Sequence, residues 1–210
     1  TSTGYIFHEL YMWHDQGAMA SVRNSVQPTP HWETPESKRR IHNLLSVSGV
    51  LDQLTLLRPR AATLEECERV HDRSYLEMLQ RCSNDDTKGH HVVGEEAVIA
   101  PGGFDVALLS AGGCLAALDA VMRGTVRNAY CLVRPPGHHA ERAAAMGFCY
   151  INNIAVVAAA AKAAHGLSRV AIVDWDVHHG NGTHHMFDDD PSVLFVSIHQ
   201  DGNYPARSGA

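Results

Sequence analysis

Short, nearly all-apolar runs alternate with stretches of helical periodicity along this chain. Residues 4–8 and 54–57 read as brief strands, as do 129–133, 169–174 and 193–198. Thr34 and Pro35 form a helix start, with Thr as N-cap and Pro in the first turn. Ile41, Leu44, Leu45 and Val47 follow at helical spacing. Thr63 with Glu66 is a capping box, and Leu64, Cys67, Val70 and His71 then fall on one face. Residues 104–122 and 153–165 are helical in pattern, closed by Gly124 and Gly166. The segment from Trp13 through Pro28 and Pro30 has no periodicity, and residues 85–94 read as a polar loop. Apolar strands alternating with helices predict an α/β fold on a buried, mostly parallel sheet. With no repeat, low-complexity run or linker, residues 1–210 are expected to form a single domain.

Open parallel sheets bind ligands in the loops at the carboxyl ends of their strands. Two such places carry ionisable residues here. Arg134-Pro-Pro-Gly-His-His139 follows the strand Ala129-Tyr-Cys-Leu-Val133, and Asp174-Trp-Asp-Val-His-His-Gly-Asn-Gly182 follows Val170-Ala-Ile-Val173. Burying such groups is costly unless they are paired or hold a metal. In an extended segment Asp174, Asp176 and His178 share one side, and Trp175 and Val177 take the other. A carboxylate and an imidazole on one side are the mixed oxygen and nitrogen donors that zinc accepts. A strand end bonding its own loop is an even rival for that triplet alone. The pair and the triplet together, each at a strand end, favour one shared site.

Composition narrows the picture. Lys and Arg number 17 against 23 Asp and Glu, a net charge of -6 that argues against direct nucleic-acid binding and suits a cationic substrate. The five cysteines form no Cys-x-x-Cys pair and read as buried free thiols of a reducing compartment. No signal peptide and no stretch approaching a membrane span is read from the sequence, so no membrane contact and a cytoplasmic location are expected. Histidine is abundant, 15 in 210, often in adjacent pairs. His90-His91 is expected to be solvated in its polar loop, His184-His185 to take surface or packing positions, and Cys149 to pack.

Taken together, Arg134-Pro-Pro-Gly-His-His-Ala140, Met146-Gly-Phe-Cys-Tyr150 with Asn152-Asn153, and Asp174-Trp-Asp-Val-His-His-Gly-Asn-Gly-Thr183 resemble the histone deacetylase family, in its order and spacing. The Pro-Pro-Gly and Gly-Asn-Gly forms are similar to the class II enzymes and the bacterial histone deacetylase-like amidohydrolases. Tyr11-Met-Trp-His-Asp-Gln-Gly17 and Val196-Ser-Ile-His-Gln200 fit the same group.

The resemblance implies a three-layer arginase/deacetylase-like fold and zinc-dependent hydrolysis of N-acetyl amides of lysine or similar amines. The alternatives are an acetylpolyamine amidohydrolase, or a non-catalytic acyl-lysine or metal-binding remnant. By position, Asp176 and His178 match two of three zinc ligands. His138 and His139 match the tandem catalytic histidines, with His139 the general base and acid. Asp174 matches the carboxylate behind His138, and Asn181 stands where the partner of His139 would be. Phe148, with Gly147, matches a wall of the acyl-lysine channel. Potassium is implied at Asp174, Asp176, His178, Ser197 and Ile198, and again at Phe187, Asp190 and Val193. An acetylated lysine peptide or small acetylated amine is the implied partner, with homo-oligomers an option.

The family's third ligand, an Asp, and its oxyanion tyrosine have no match, since Asp201 and Tyr204 come too early. The chain is therefore expected to be an N-terminal portion, its C-terminal part missing and its sheet left with an exposed apolar edge.

Overall fold

The computed structural model describes residues 2–17, 31–206 and 208–209, so most of the aperiodic segment through Pro28 and Pro30 lies outside the described residues. In chain order the elements are β1 (Thr3–Ile6), α1 (Pro35–Val47), β2 (Thr55–Leu57), α2 (Leu64–Glu68), α3 (Arg73–Asn84), β3 (His91–Glu95), β4 (Ala97–Ile99) and α4 (Gly103–Met122). There follow β5 (Asn128–Cys131), β6 (Ala145–Met146), α5 (Asn153–Ala163), β7 (Val170–Asp174), α6 (Asn181–Phe187) and β8 (Val193–Ser197). The first strand stops at Ile6 and not at His8, because His8 turns to cap a 3-10 turn, Glu9–Trp13, by accepting from the Leu10 N–H.

β1 lies between β2 and β5 in one parallel sheet, and β7 pairs in parallel with β8 in another. A small mixed sheet, β4-β3-β6, completes the set among the described residues. The architecture is α/β, with helices packed against parallel strands. The main core lies among α3, α4 and α5, where Leu76, Leu79, Ile99, Phe104, Tyr150, Ile151 and Val156 are almost fully buried. The Thr63–Glu66 capping box forms on both sides, and Gly124 and Gly166 take the left-handed backbone that ends a helix.

Three expectations need correction. α1 forms where its cap and proline put it, yet buries none of its residues, and Leu44 and Val47 are 63% and 73% exposed. What holds it is His42, stacked on Phe7 at 4.0 Å and hydrogen bonded to the Tyr5 hydroxyl at 2.9 Å. The polar loop 85–94 ends in a strand, because His91 and the β-branched Val92 pair with Ile99 and Val98 of β4 as a hairpin, with Val93 at a shift of register. Thirdly, α4 is long and apolar enough to cross a membrane by length and composition, although half of that stretch is buried inside the protein. Its Gly112 sits against the backbone of Arg60–Ala62, where an added Cβ would come within 2.0 Å of the Arg60 carbonyl oxygen.

β7 and β8 run in register from Val170↔Val193 to Asp174↔Ser197. One face of the pair packs on α5 and α6. The other carries Val173, Leu194, Val196 and Ile198, all exposed. The five-residue register sets the ends of both strands level, so Asp174, Ser197 and the following loops open on the same side.

Candidate active site

Two loops meet at that side. The first leaves β5 and is held by Arg134, which is 1% exposed. Its guanidinium donates to the Glu33 carboxylate at 2.7–3.0 Å and to the carbonyls of Tyr11 and His14 at 2.6 and 3.0 Å. An ion pair out of water survives only with its hydrogen bonds filled, as here. Burial works to raise the Glu33 carboxyl, but the hydrogen bond and charge of Arg134, with Lys38, outweigh it and hold the group at about 2. This clamp fixes the segment that presents His138 and His139.

The second loop leaves β7 and bends at once. The Asp176 N–H turns back to Asp174 Oδ1 at 3.1 Å, and the His178 N–H donates to Asp176 Oδ1 at 2.8 Å. These bonds, and not an extended backbone, bring Asp174, Asp176 and His178 to one side. Trp175 and Val177 point away, 81% and 51% exposed.

The loops interlock through glycines. A Cβ on Gly180 would lie 2.4 Å from Asp174 Oδ2 and 3.2 Å from His138 Nδ1, and one on Gly182 would lie 2.1 Å from the Ala140 carbonyl oxygen. Only glycine admits that approach.

Six residues named from the sequence are thus brought together. His138 Nδ1 is 2.9 Å from Asp174 Oδ2, and its Nε2 is 3.9 Å from Asp176 Oδ1. The His138 and His139 rings lie 4.0 Å apart, and His139 is 6.0 Å from the His178 ring. His139 Nδ1 donates to Asn181 Oδ1 at 2.7 Å, which leaves its Nε2 free to accept a proton. Burial first, then the neighbouring His138 and His178, lower the His139 imidazole to about 4. It is neutral at neutral pH. Burial pushes the Asp174 carboxyl up, but its hydrogen bond and charge pairing with His138 prevail and keep it below the usual carboxylate range.

A cavity of about 460 Å³ opens above the histidines, lined among others by Phe148, Gly147, Glu96 and Tyr204. The β3–β4 hairpin shapes its wall, since the Gly147 and Phe148 N–H groups donate to the Glu95 and Glu96 carbonyls at 2.9 and 3.0 Å. Phe148 sits there with φ +68°, a left-handed backbone that a bulky residue adopts only when its surroundings impose it. Tyr204 stands edge-on to His139 at 5.0 Å and to His178 at 6.0 Å. Sequence reasoning set Tyr204 aside as too early for an oxyanion donor and missed it as a wall. The only signal was an aromatic residue following the Ser-Ile-His-Gln stretch.

Asp176 Oδ1 and His178 Nδ1 are 3.1 Å apart. Two donors each about 2.05 Å from a tetrahedral zinc ion stand roughly 3.3 Å apart, so this pair fits one edge of such a sphere. Among the described residues no set of three or more His, Cys, Asp or Glu groups is placed to hold a metal. The remaining positions of an ion fall to water, substrate or a donor not among the described residues.

The residues implied for potassium lie in two places. Asp174 and Ser197 are paired across β7 and β8, and the Ile198 N–H donates to the Asp174 carbonyl at 2.9 Å. Phe187, Asp190 and Val193 lie along two successive turns, in which the Asp190 N–H donates to the Phe187 carbonyl and the Val193 N–H to the Asp190 carbonyl, both at 3.0 Å. Lys162 meets the Asp190 carboxylate at 2.5 Å. Cys149 is fully buried, its thiol donating to the Gly147 carbonyl, and burial pushes its pKa up.

Comparison with known proteins places this architecture. The model of the histone deacetylase domain matches residues 31–210. This chain belongs to the histone deacetylase family. It is 47% identical to a histone deacetylase-like amidohydrolase of Pseudomonas aeruginosa over 99% of the chain and 56% of that protein. It is 40% identical to the polyamine deacetylase HDAC10 of Rattus norvegicus over 82% of the chain and 32% of that protein. The crystal structure of the HDA15 HD domain superposes with a TM-score of 0.86 at 35% identity, covering the whole of this chain and 58% of that one. The chain spans about half the length of the Pseudomonas relative, and His138, His139, Asp174, Asp176 and His178 all fall within the span that matches the family.

Proposed function

We propose that this histone deacetylase-family chain supplies the zinc-binding and proton-transferring part of a deacetylase that hydrolyses N-acetyl amides of lysine side chains or similar amines. The observation that carries the reading is the convergence of the Asp176–His178 donor pair with the His138–His139 pair at one cavity. Asp176 Oδ1 and His178 Nδ1 would hold zinc, which takes the place of the Nδ1 proton. When bound, zinc polarises an amide carbonyl and acidifies water.

The chain's own groups do the rest. His139 Nε2 accepts a proton from the attacking water and passes it to the departing amine. His138, paired with Asp174, places its imidazole 3.9 Å from the Asp176 carboxylate and orients that side of the site. Phe148 and Tyr204 shield an alkyl stem and exclude water along it. Potassium beside Asp174 and Ser197 would fix the ends of β7 and β8.

A second reading, a small acetylated polyamine as substrate, is supported by the Glu96 carboxylate at the cavity and by the relative named a polyamine deacetylase. A cationic amine beyond the acetyl group would be drawn to that carboxylate.

The test is turnover by the intact gene product loaded with zinc. A fluorogenic acetyl-lysine peptide and acetylputrescine are compared, each with and without a hydroxamate. Hydrolysis blocked by the hydroxamate is expected, and the ratio of kcat/KM values assigns the substrate class. Zinc binding without hydrolysis of either compound would leave a binding module and end the enzymatic reading.

A further inference from the structure

We infer that Glu141 is a positioning residue that sets the tautomer of His139 by fixing the orientation of the Asn181 amide. The inference rests on the proposed role of His139 for its kinetic consequence, and on geometry alone for its structural one.

A general base must present a bare nitrogen to its proton donor. For His139 that nitrogen is Nε2, so the ring proton must sit on Nδ1. A carboxylate partner would guarantee this, since both of its oxygens accept. Asn181 does not, because its oxygen and its nitrogen are nearly the same size and can exchange places by a half-turn of the amide. Turned the other way, Asn181 would donate to Nδ1, drive the ring proton to Nε2 and remove the base.

The structure holds a group that forbids that half-turn. Asn181 Nδ2, the end of the amide that does not meet the His139 ring, donates to Glu141 Oε1 at 2.5 Å and more weakly to the His139 carbonyl at 3.4 Å. Reversal would set Asn181 Oδ1 at that same short distance from a carboxylate oxygen, two acceptors with no proton between them. Asn181 is 3% exposed, so water cannot relieve the conflict.

Glu141 is itself held in place. Its side chain, about one-quarter exposed, meets His185 Nδ1 at 2.8 Å. Its backbone N–H donates to the Ala144 carbonyl at 2.9 Å, and its carbonyl meets buried His71 at 2.9 Å. The result is a line of contacts, His139–Asn181–Glu141–His185, running from the cavity to the surface. It also gives His185 a use beyond a surface position. Neither Glu141 nor His185 touches the substrate cavity.

Glu141→Gln keeps the shape and removes the compulsion, because a glutamine can accept or donate at the same place. The first measurement is the nitrogen-15 spectrum of His139 in the full chain. The Nδ1–H form is expected to dominate in the unaltered protein and to give way to a mixture in the variant. The second is kinetic, on the intact gene product. A fall in kcat of about 10- to 100-fold is expected with KM within about twofold.

The third measurement repeats Glu141→Gln in an Asn181→Asp background. A carboxylate there accepts on both sides and would itself face the Glu141 carboxylate, so Glu141→Gln, which can donate, should cost no rate in that background. An unchanged His139 spectrum in Glu141→Gln, or an equal loss of rate in both backgrounds, would overturn the inference. A spectral change in a protein that hydrolyses no acetyl amide would leave the inference standing and remove the proposed function.

Discussion

His139→Ala is expected to lower kcat for acetyl-amide hydrolysis by roughly a thousandfold while zinc content stays unchanged. The ring is 6.0 Å from that of His178 and takes no part in the Asp176–His178 donor pair, so removing it leaves the metal edge intact. What is lost is the imidazole of the tandem pair whose Nδ1 is engaged by Asn181 and whose Nε2 faces the cavity. His138 cannot replace it, since its Nδ1 is engaged by Asp174 and its Nε2 faces Asp176. Stopped-flow rates alongside metal analysis separate the two effects. A variant that keeps more than about one-tenth of the rate would assign the proton transfer to another group.

Arg134→Met is expected to destabilise the fold by about 3–5 kcal/mol, because it strips the buried Glu33 carboxylate of its main partner and leaves it only Lys38 and the Gln16 amide. Denaturant unfolding at neutral pH measures this. Glu33→Gln combined with Arg134→Met should recover part of the loss, since no bare charge then remains inside.

The pair also predicts an acid limb. Glu33 is held at about 2, below the ordinary 4.5 of a glutamate carboxyl, so the folded state binds its proton later than the unfolded chain does. The stabilisation is complete above about pH 4.5 and is lost as pH falls toward 2. With Arg134 gone, only Lys38 opposes the effect of burial on Glu33, and the loss begins at a higher pH. A variant with unaltered stability and an unaltered acid limb would show that the clamp is dispensable.

What the sequence made legible was local. Asp174, Asp176 and His178 stand two residues apart behind an apolar strand, and His138-His139 stand behind another, so the strand-end rule found both loops without knowledge of their packing. The register Asp174↔Ser197 then brings in the end of β8. What stayed hidden depends on distance along the chain. Glu33 and Arg134 are 101 residues apart, and Glu141 and Asn181 are 40 apart. Nothing in either local pattern marks them as partners. Tyr204 reaches the histidines only because the loop after β8 folds back over them.

Periodicity also misled. Leu44 and Val47 have helical spacing but no surface to cover among the described residues, while the polar His42 makes the contact that holds α1. Val92 and Val93 were hidden by polar neighbours, and the strand they lie in is made by pairing with β4 and β6.

X-ray diffraction at the zinc edge, from crystals of the protein loaded with one equivalent of zinc, tests the donor pair most directly. A single anomalous peak is expected about 2.0–2.2 Å from both Asp176 Oδ1 and His178 Nδ1, on the side facing His138 and His139. A peak held elsewhere in the molecule, or no ordered zinc at Asp176 and His178, would contradict it.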